Sequence, residues 1–354
     1  MSNTLALPHF RLTDNEKIFV PTHKGLSLVL TNRCNFRCRH CFVEQKNKTR
    51  ELKTKQLFDI IDEAKKLEFK AVALTGGEPF LRKDIFDLIE YVVTNGFLLH
   101  LNTNGSLITK DVANRIKKIE EKAVNKFGFD VSLNAITQET SKRFTNTDKL
   151  DDTLNGINNL IAAGITPRIQ TVLTRINYFE VFDILKYISK LGIPRLHTIF
   201  FRPVGNARGV LDLCLTFEEL NNIHIQLLKL SRELNVSISC ELPYNLGIPI
   251  EVENIDIVGC YIGERTIIMP NGDMVPCYMI PDIVIGNIKN TNIDEALEKA
   301  KAIKNKRKVD ACKGCKYERT CNGGCFACTY YLKKDINKPD PFCPFVKGEN
   351  NEKV

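Results

Sequence analysis

Three cysteines stand within eight residues in CNFRCRHC, residues 34–41, spaced Cys34-x3-Cys38-x2-Cys41. A loop of that spacing wraps three thiolates around one corner of a metal–sulfur cube. A structural zinc ion takes four ligands in a closed tetrahedron, and the next cysteine is Cys214, although His40 and His23 are near enough in sequence to serve. Three protein ligands with one open place is what catalysis uses, and soft thiolates select iron–sulfur clusters or zinc.

A second set of cysteines lies near the C-terminal end. It reads Cys260-x16-Cys277, Cys312-x2-Cys315-x5-Cys321-x3-Cys325, and x17 to Cys343. On spacing alone such pairs suit a zinc ribbon. The chain holds 13 cysteines among 354 residues, an odd number. The N-terminal MSNTLALPHFRLTDNEK lacks a basic region ahead of a long apolar one, which predicts no signal peptide. A disulfide framework belongs to short secreted chains, so metal ligation in a reducing cytoplasm is the better account.

Regular elements must position these thiols. LSLVLT (26–31) reads as a buried strand running straight into the first cysteine loop. KTKQLFDIIDEAKKL (53–67) has helical spacing, with Leu57, Ile60, Ile61, Ala64 and Leu67 on one face. AVALTGGEP (71–79) is strand then glycine loop, and KDIFDLIEYVVTNG (83–96) a helix ending in glycine. The alternation continues through strands at 98–105, 127–135, 167–174 and 195–205, with helices at 109–122, 149–164, 179–192 and 216–234. A short strand, VSISCEL (236–242), follows.

Six such units predict an α/β fold, a partial (β/α)6 TIM-like barrel whose post-strand loops share one face. Beyond about residue 250 helical periodicity fades, predicting a small cysteine-rich domain held by metal more than by packing. The expected divisions are 1–24 as an extension, 25–245 as the barrel, 246–346 as the cysteine-rich domain and 347–354 as a tail. Hydrophobic content of 43% suits a sizeable core, and no run of 18 apolar residues predicts a membrane span. The net charge of +8 is spread along the chain and decides little; its one run, KAIKNKRK (301–308), reads first as a solvated helix face, with RNA or an acidic substrate as the sharper alternative, and no nucleic-acid partner is expected.

The first cysteine motif, together with GGEP (Gly76 to Pro79) after the second strand, resembles the radical S-adenosylmethionine superfamily. That resemblance implies a [4Fe–4S] cluster on Cys34, Cys38 and Cys41, with the amino and carboxylate groups of S-adenosylmethionine on the fourth iron. One electron would break the sulfur–C5′ bond, and the 5′-deoxyadenosyl radical would take a hydrogen atom from substrate. His40 stands where relatives carry an aromatic residue, beside Phe42. Gly76 and Gly77 would let backbone pass close to the ligand. Glu78 and nearby carbonyls would accept from the methionine ammonium. Ser132 and Asn134, in SLNA, stand where many relatives read Ser-Leu-Asp-Gly. NTNG (102–105) matches a recurrent barrel turn.

The later cysteines, with the G-x4-C of GDMVPC, resemble a SPASM domain. The resemblance implies two auxiliary [4Fe–4S] clusters, one on Cys312, Cys315, Cys321 and Cys343, the other on Cys260, Cys277 and Cys325. For the latter's fourth place Cys240, Glu253 or Asp256 are alternatives, as is an open iron. Cys214, Cys240 and Cys328 are left over and read first as small buried hydrophobes. For Cys240 a sharper reading is a hydrogen-atom donor facing the cavity.

These resemblances imply modification of a ribosomally made peptide or protein, by crosslinking, epimerisation or oxidation, with electrons from a flavodoxin or ferredoxin. With the barrel starting near residue 25, no N-terminal winged-helix recognition domain is expected. Sulfatase-maturing relatives commonly carry Tyr where His40 stands. The alternative is a tetrapyrrole substrate, as in enzymes with a P-x-G turn like RPVGNARG (202–209), where Arg202 and Arg208 would pair carboxylates. Conversion of a small sugar or nucleotide is third, and a non-enzymatic zinc adaptor fourth.

Overall fold

Apolar runs too continuous for a one-faced sheet become parallel strands covered on both sides. The computed structural model describes residues 10–13, 16–21, 24–44, 50–125, 127–241, 255–258, 260–315 and 317–346. His23, Glu253, the 245/246 division and the tail 347–354 lie outside the described residues, as does the side chain of Asp256. The strands are β1 (Phe10–Thr13), β2 (Glu16–Pro21), β3 (Gly25–Val29), β4 (Ala71–Thr75), β5 (Leu98–Thr103), β6 (Phe127–Ser132) and β7 (Arg168–Leu173). They continue as β8 (Arg195–Phe200), β9 (Ser237–Glu241), β10 (Ile255–Val258), β11 (Arg265–Ile268), β12 (Asp273–Val275) and β13 (Gly286–Asn287).

The helices are α1 (Thr54–Lys66), α2 (Ile85–Thr94), α3 (Lys110–Glu120), α4 (Gln138–Thr145), α5 (Leu150–Ala162), α6 (Val181–Lys190), α7 (Phe217–Leu234) and α8 (Ile293–Lys306). From β3 to β9 each strand pairs in parallel with the next, and the intervening helices cover the outer face. α1 buries Leu57, Ile60, Ile61 and Ala64, the stripe its spacing predicts. α7 is started by a capping box, with Thr216 Oγ1 accepting from Glu219 N and Glu219 returning to Thr216 N. This is the predicted partial barrel.

Two features depart from expectation. Helical structure does not fade beyond residue 250: α8 is capped by Asn292, whose Oδ1 accepts from Glu295 N at 2.7 Å, and buries Ile293, Ala296, Leu297 and Ala300. Its lysine-rich exposed face hid that stripe. In KAIKNKRK, Arg307 is buried, contrary to the solvated reading of the run. The second feature is sheet continuity. β11 pairs in parallel with β3, Arg265 opposite Gly25, so the C-terminal segment extends the barrel sheet. At the other edge β10 lies between β9 and β2.

Candidate metal centre and cavity

The cysteine loop leaves β3 and is held on three sides by backbone. From the GGEP turn, Gly77 N donates to Thr31 O at 2.7 Å and Glu78 N to Arg33 O at 2.8 Å. From the end of α4, Thr145 O and Phe144 O accept from Arg37 N and Arg39 N, each at 3.0 Å. From the turn after β8, Asn206 N donates to Phe42 O at 3.1 Å. Glycine is required at these approaches. A Cβ on Gly77 would stand 2.2 Å from Arg33 O, and one on Gly205, at φ +59°, 2.2 Å from Phe42 O. The close approach expected toward a ligand is thus made first to the cysteine loop itself. RPVG fits the same logic.

Cys34, Cys38 and Cys41 line one cavity of about 630 Å³ with His40, Phe42, Gly76, Gly77, Ser132 and Asn134. Burial pushes the Cys34 thiol up to about 11 and raises Cys38 and Cys41 too, Cys38 also feeling both neighbours. Three thiolates here therefore need a cationic partner, which iron supplies. Asn104 Nδ2 lies 3.9 Å from Cys34 Sγ and donates to Asn35 Oδ1 at 2.8 Å, so the NTNG turn braces this loop.

Two expected ligand contacts are displaced. Glu78 and Pro79 do not reach the cavity wall. Glu78 is buried and accepts from Thr103 Oγ1 and Asn104 N, each at 2.8 Å, and from Phe80 N at 3.1 Å. It ties GGEP to NTNG and is spent on the chain, not on an ammonium group. Burial holds its carboxyl up at about 7 against those bonds. Pro79 is buried and begins a single turn, Pro79–Leu81. Asn134 remains on the wall, with Oδ1 accepting from Val172 N at 2.8 Å. His40 leans on Phe144 at 4.4 Å between centroids, and burial lowers it to about 4, leaving a neutral ring. Phe42 stacks on Tyr278 at 5.5 Å.

Cys240 is a correction. It and Ile238 sit in the core beneath the helices, while Glu241 lines the cavity. With the side-chain period of two, its thiol faces away from the cavity and donates no hydrogen atom there.

The C-terminal thiols form two groups. Cys260, Cys277 and Cys325 are close electrostatic neighbours, each feeling Arg202. Cys312, Cys315, Cys321 and Cys343 form the other, with Asp340 beside Cys321 and Cys343. Asp340, fully buried, receives Cys325 N at 2.6 Å and Phe342 N at 2.9 Å. Arg307 binds Gly324 O at 2.8 Å, Gly323 O at 2.9 Å and Ile336 O at 2.7 Å. Sequence reasoning left Cys328 aside, yet its thiol hydrogen-bonds the Cys325 sulfur. The CFAC spacing, 325–328, was the available signal. Arg307 and Asp340 had no motif to mark them.

Residues 28–179 match the model of the radical SAM superfamily, and residues 260–316 that of the SPASM iron–sulfur cluster-binding domain. The chain is 26% identical over 350 residues to the AdoMet-dependent heme synthase of Nitratidesulfovibrio vulgaris, covering 92% of this chain and 93% of that one. It is 28% identical over 328 residues to the mycofactocin maturase MftC of Mycolicibacterium smegmatis, covering 90% and 82%. Its fold is that of SuiB from Streptococcus suis, solved with its precursor peptide SuiA, at a TM-score of 0.74, 18% identity, and coverage of 92% and 76%. Iron–sulfur clusters and S-adenosylmethionine are the cofactors, and together they supply one-electron cleavage of the sulfonium and hydrogen-atom abstraction. The chain belongs to the radical S-adenosylmethionine superfamily, carries a SPASM domain, and is an enzyme.

Proposed function

We propose that this enzyme modifies a ribosomally made peptide at a residue inserted into the cavity beneath Cys34, Cys38 and Cys41. The observation that carries the reading is the wall of that cavity. Barrel residues form one side, and residues of the C-terminal segment, among them Tyr261, Tyr278 and Asp282, form the other. A chain lying between the two would present one side chain to the cysteine mouth. Similarity to MftC, named a maturase, over 90% of this chain supports it. The cysteine triad holds the reductive cluster, and the two C-terminal groups hold auxiliary clusters. A flavodoxin- or ferredoxin-type protein delivers the electron.

The test is co-expression with any short open reading frame beside the gene, followed by mass spectrometry. Loss of hydrogen or a new crosslink in the peptide is expected. A second reading, a propionate-bearing tetrapyrrole, is favoured by similarity to the heme synthase over 93% of that protein. Arg202 already meets this chain's own Glu241, through Nη1 at 2.7 Å. Loss of CO2 from an iron tetrapyrrole, with no change in any peptide, overturns the peptide reading.

A further inference from the structure

Four arginines line the cavity, and three of them meet carboxylates. Arg168 grips Asp130 through two bonds of 2.6 and 2.8 Å. Arg202 holds Glu241, and Arg208 lies 3.9 Å from Glu44. Arg265 differs. Among the described residues no carboxylate lies within ion-pair distance of it. Its guanidinium rests 4.4 Å from the centroid of the Tyr261 ring. Its stem crosses Gly25, where a Cβ would stand 3.1 Å from Arg265 Cγ.

A guanidinium stays charged at any working pH. Half-buried and outside ion-pair distance of any described carboxylate, it leaves fork-shaped donors facing open space, and a carboxylate matches that fork in two bonds. Two phenols stand with it. Tyr261 and Tyr278 line the same cavity, and a phenol carries one O–H that can donate. Glu241 is near both tyrosines and would oppose an anion, but Arg202 neutralises it at 2.7 Å. Asp130 is answered by Arg168 in the same way. Asp273 and Asp282 line the cavity as well, but neither is within ion-pair distance of Arg265: Asp273 accepts from Asn287 Nδ2 and Asp282 from Tyr331 Oη, each at 2.8 Å. Arg265, Tyr261 and Tyr278 all come from the C-terminal segment and reach the cavity because β11 pairs with β3.

We propose that Arg265, assisted by the hydroxyls of Tyr261 and Tyr278, binds a carboxylate of the substrate and fixes which atom faces the cysteine mouth. The inference rests on the peptide reading for the source of that carboxylate, an acidic side chain or a free C-terminus. The carboxylate chemistry itself is shared with a tetrapyrrole propionate.

Holoenzyme loaded with S-adenosylmethionine is titrated anaerobically with glutarate and with its diamide, glutaramide. Wild type should bind glutarate and not glutaramide, a contrast that needs no variant. Arg265→Gln should weaken glutarate by tenfold or more, and Arg265→Lys by less, in protein whose iron content and circular dichroism match wild type. Equal binding of glutarate and glutaramide, no binding of glutarate at 20 mM, or equal affinity in wild type and Arg265→Gln would overturn the proposal. Displacement of glutarate separates the sources. An acidic hexapeptide that displaces it supports both readings. An iron tetrapyrrole bearing free propionates that displaces it, where the peptide does not, keeps Arg265 and removes the peptide reading. Displacement by neither overturns the assignment of this site to substrate.

Discussion

The cysteines at the barrel mouth and those of the C-terminal segment are held by opposite means. At the mouth, turns following rigid parallel strands press backbone against backbone, and the requirement is clearance: Gly76, Gly77 and Gly205 lack the atoms that would collide. In the C-terminal segment strands are few and short, and buried charge does the holding. Arg307 gathers carbonyls from 323, 324 and 336, and Asp340 gathers amides from 325 and 342. The first arrangement tolerates an empty metal place, because the barrel core stands without it. The second leans on its metal and on two buried ions. A site that exchanges a cofactor every turnover belongs on the first kind of support.

The largest effect should separate the two regions outright. Cys38→Ala should reduce 5′-deoxyadenosine formation by more than about a thousandfold, since the mouth loses a ligand. Iron should fall from about twelve to about eight per chain, on the cluster chemistry of three four-iron groups. Cys321→Ala should also lose about four irons, yet keep the change that S-adenosylmethionine causes in the reduced spectrum. If Cys321→Ala abolished that change as fully as Cys38→Ala, the two regions would not be independent.

The next effect is on stability. Arg307→Ala leaves several buried carbonyls without a charged donor and should cost about 4 kcal/mol. Pulse proteolysis at fixed iron content should place the new cleavage in the C-terminal segment, sparing the barrel. Cleavage spread evenly through the chain would break the contrast.

That contrast was half legible in the sequence. Strand–helix alternation marks the barrel because each unit obeys a local period, and the helix predicted at 216–234 appears as α7, Phe217–Leu234. α4 escaped because its inward face carries Thr140, Ser141 and Thr145 with only Phe144 for apolar weight. The pairing of β11 with β3 escaped for another reason. No local period joins residues 265 and 25, and only the sheet brings them together. The cysteines announced themselves by spacing, whereas Glu78, Asn104 and Arg307 act through tertiary bonds that no spacing encodes. Cys240 failed for want of the strand's register, which turns it toward the helices.

A pH effect sharpens the mouth's side of the comparison. Unfolded, Glu78 ionises near 4.5; folded, it keeps its proton to about 7. The folded state therefore binds the extra proton between these values, and its stability falls as pH rises through that window. The full loss is at most about 3.4 kcal/mol. Glu78→Gln should show a flatter curve of unfolding free energy between pH 4.5 and 7, whatever constant cost the substitution adds. Parallel curves would show that Glu78 does not titrate there.

The smallest effect asks whether the second region has a gap of its own. Cys328 donates to the Cys325 sulfur and is fully buried. A donor on a cluster sulfur favours the reduced, more negative state, so removing it makes reduction harder. A weak thiol bond contributes roughly 0.5–1 kcal/mol, which converts to a potential roughly 20–40 mV lower for a one-electron couple. Cys328→Ala should shift one auxiliary potential by that amount while iron stays at about twelve. A partial loss of iron, or a three-iron signal, would instead make Cys328 a ligand and close the place left beside Cys260, Cys277 and Cys325. An unchanged potential with unchanged iron would reduce Cys328 to packing. Only the second outcome fills that iron's fourth position with Cys328; the other two leave it open to something else.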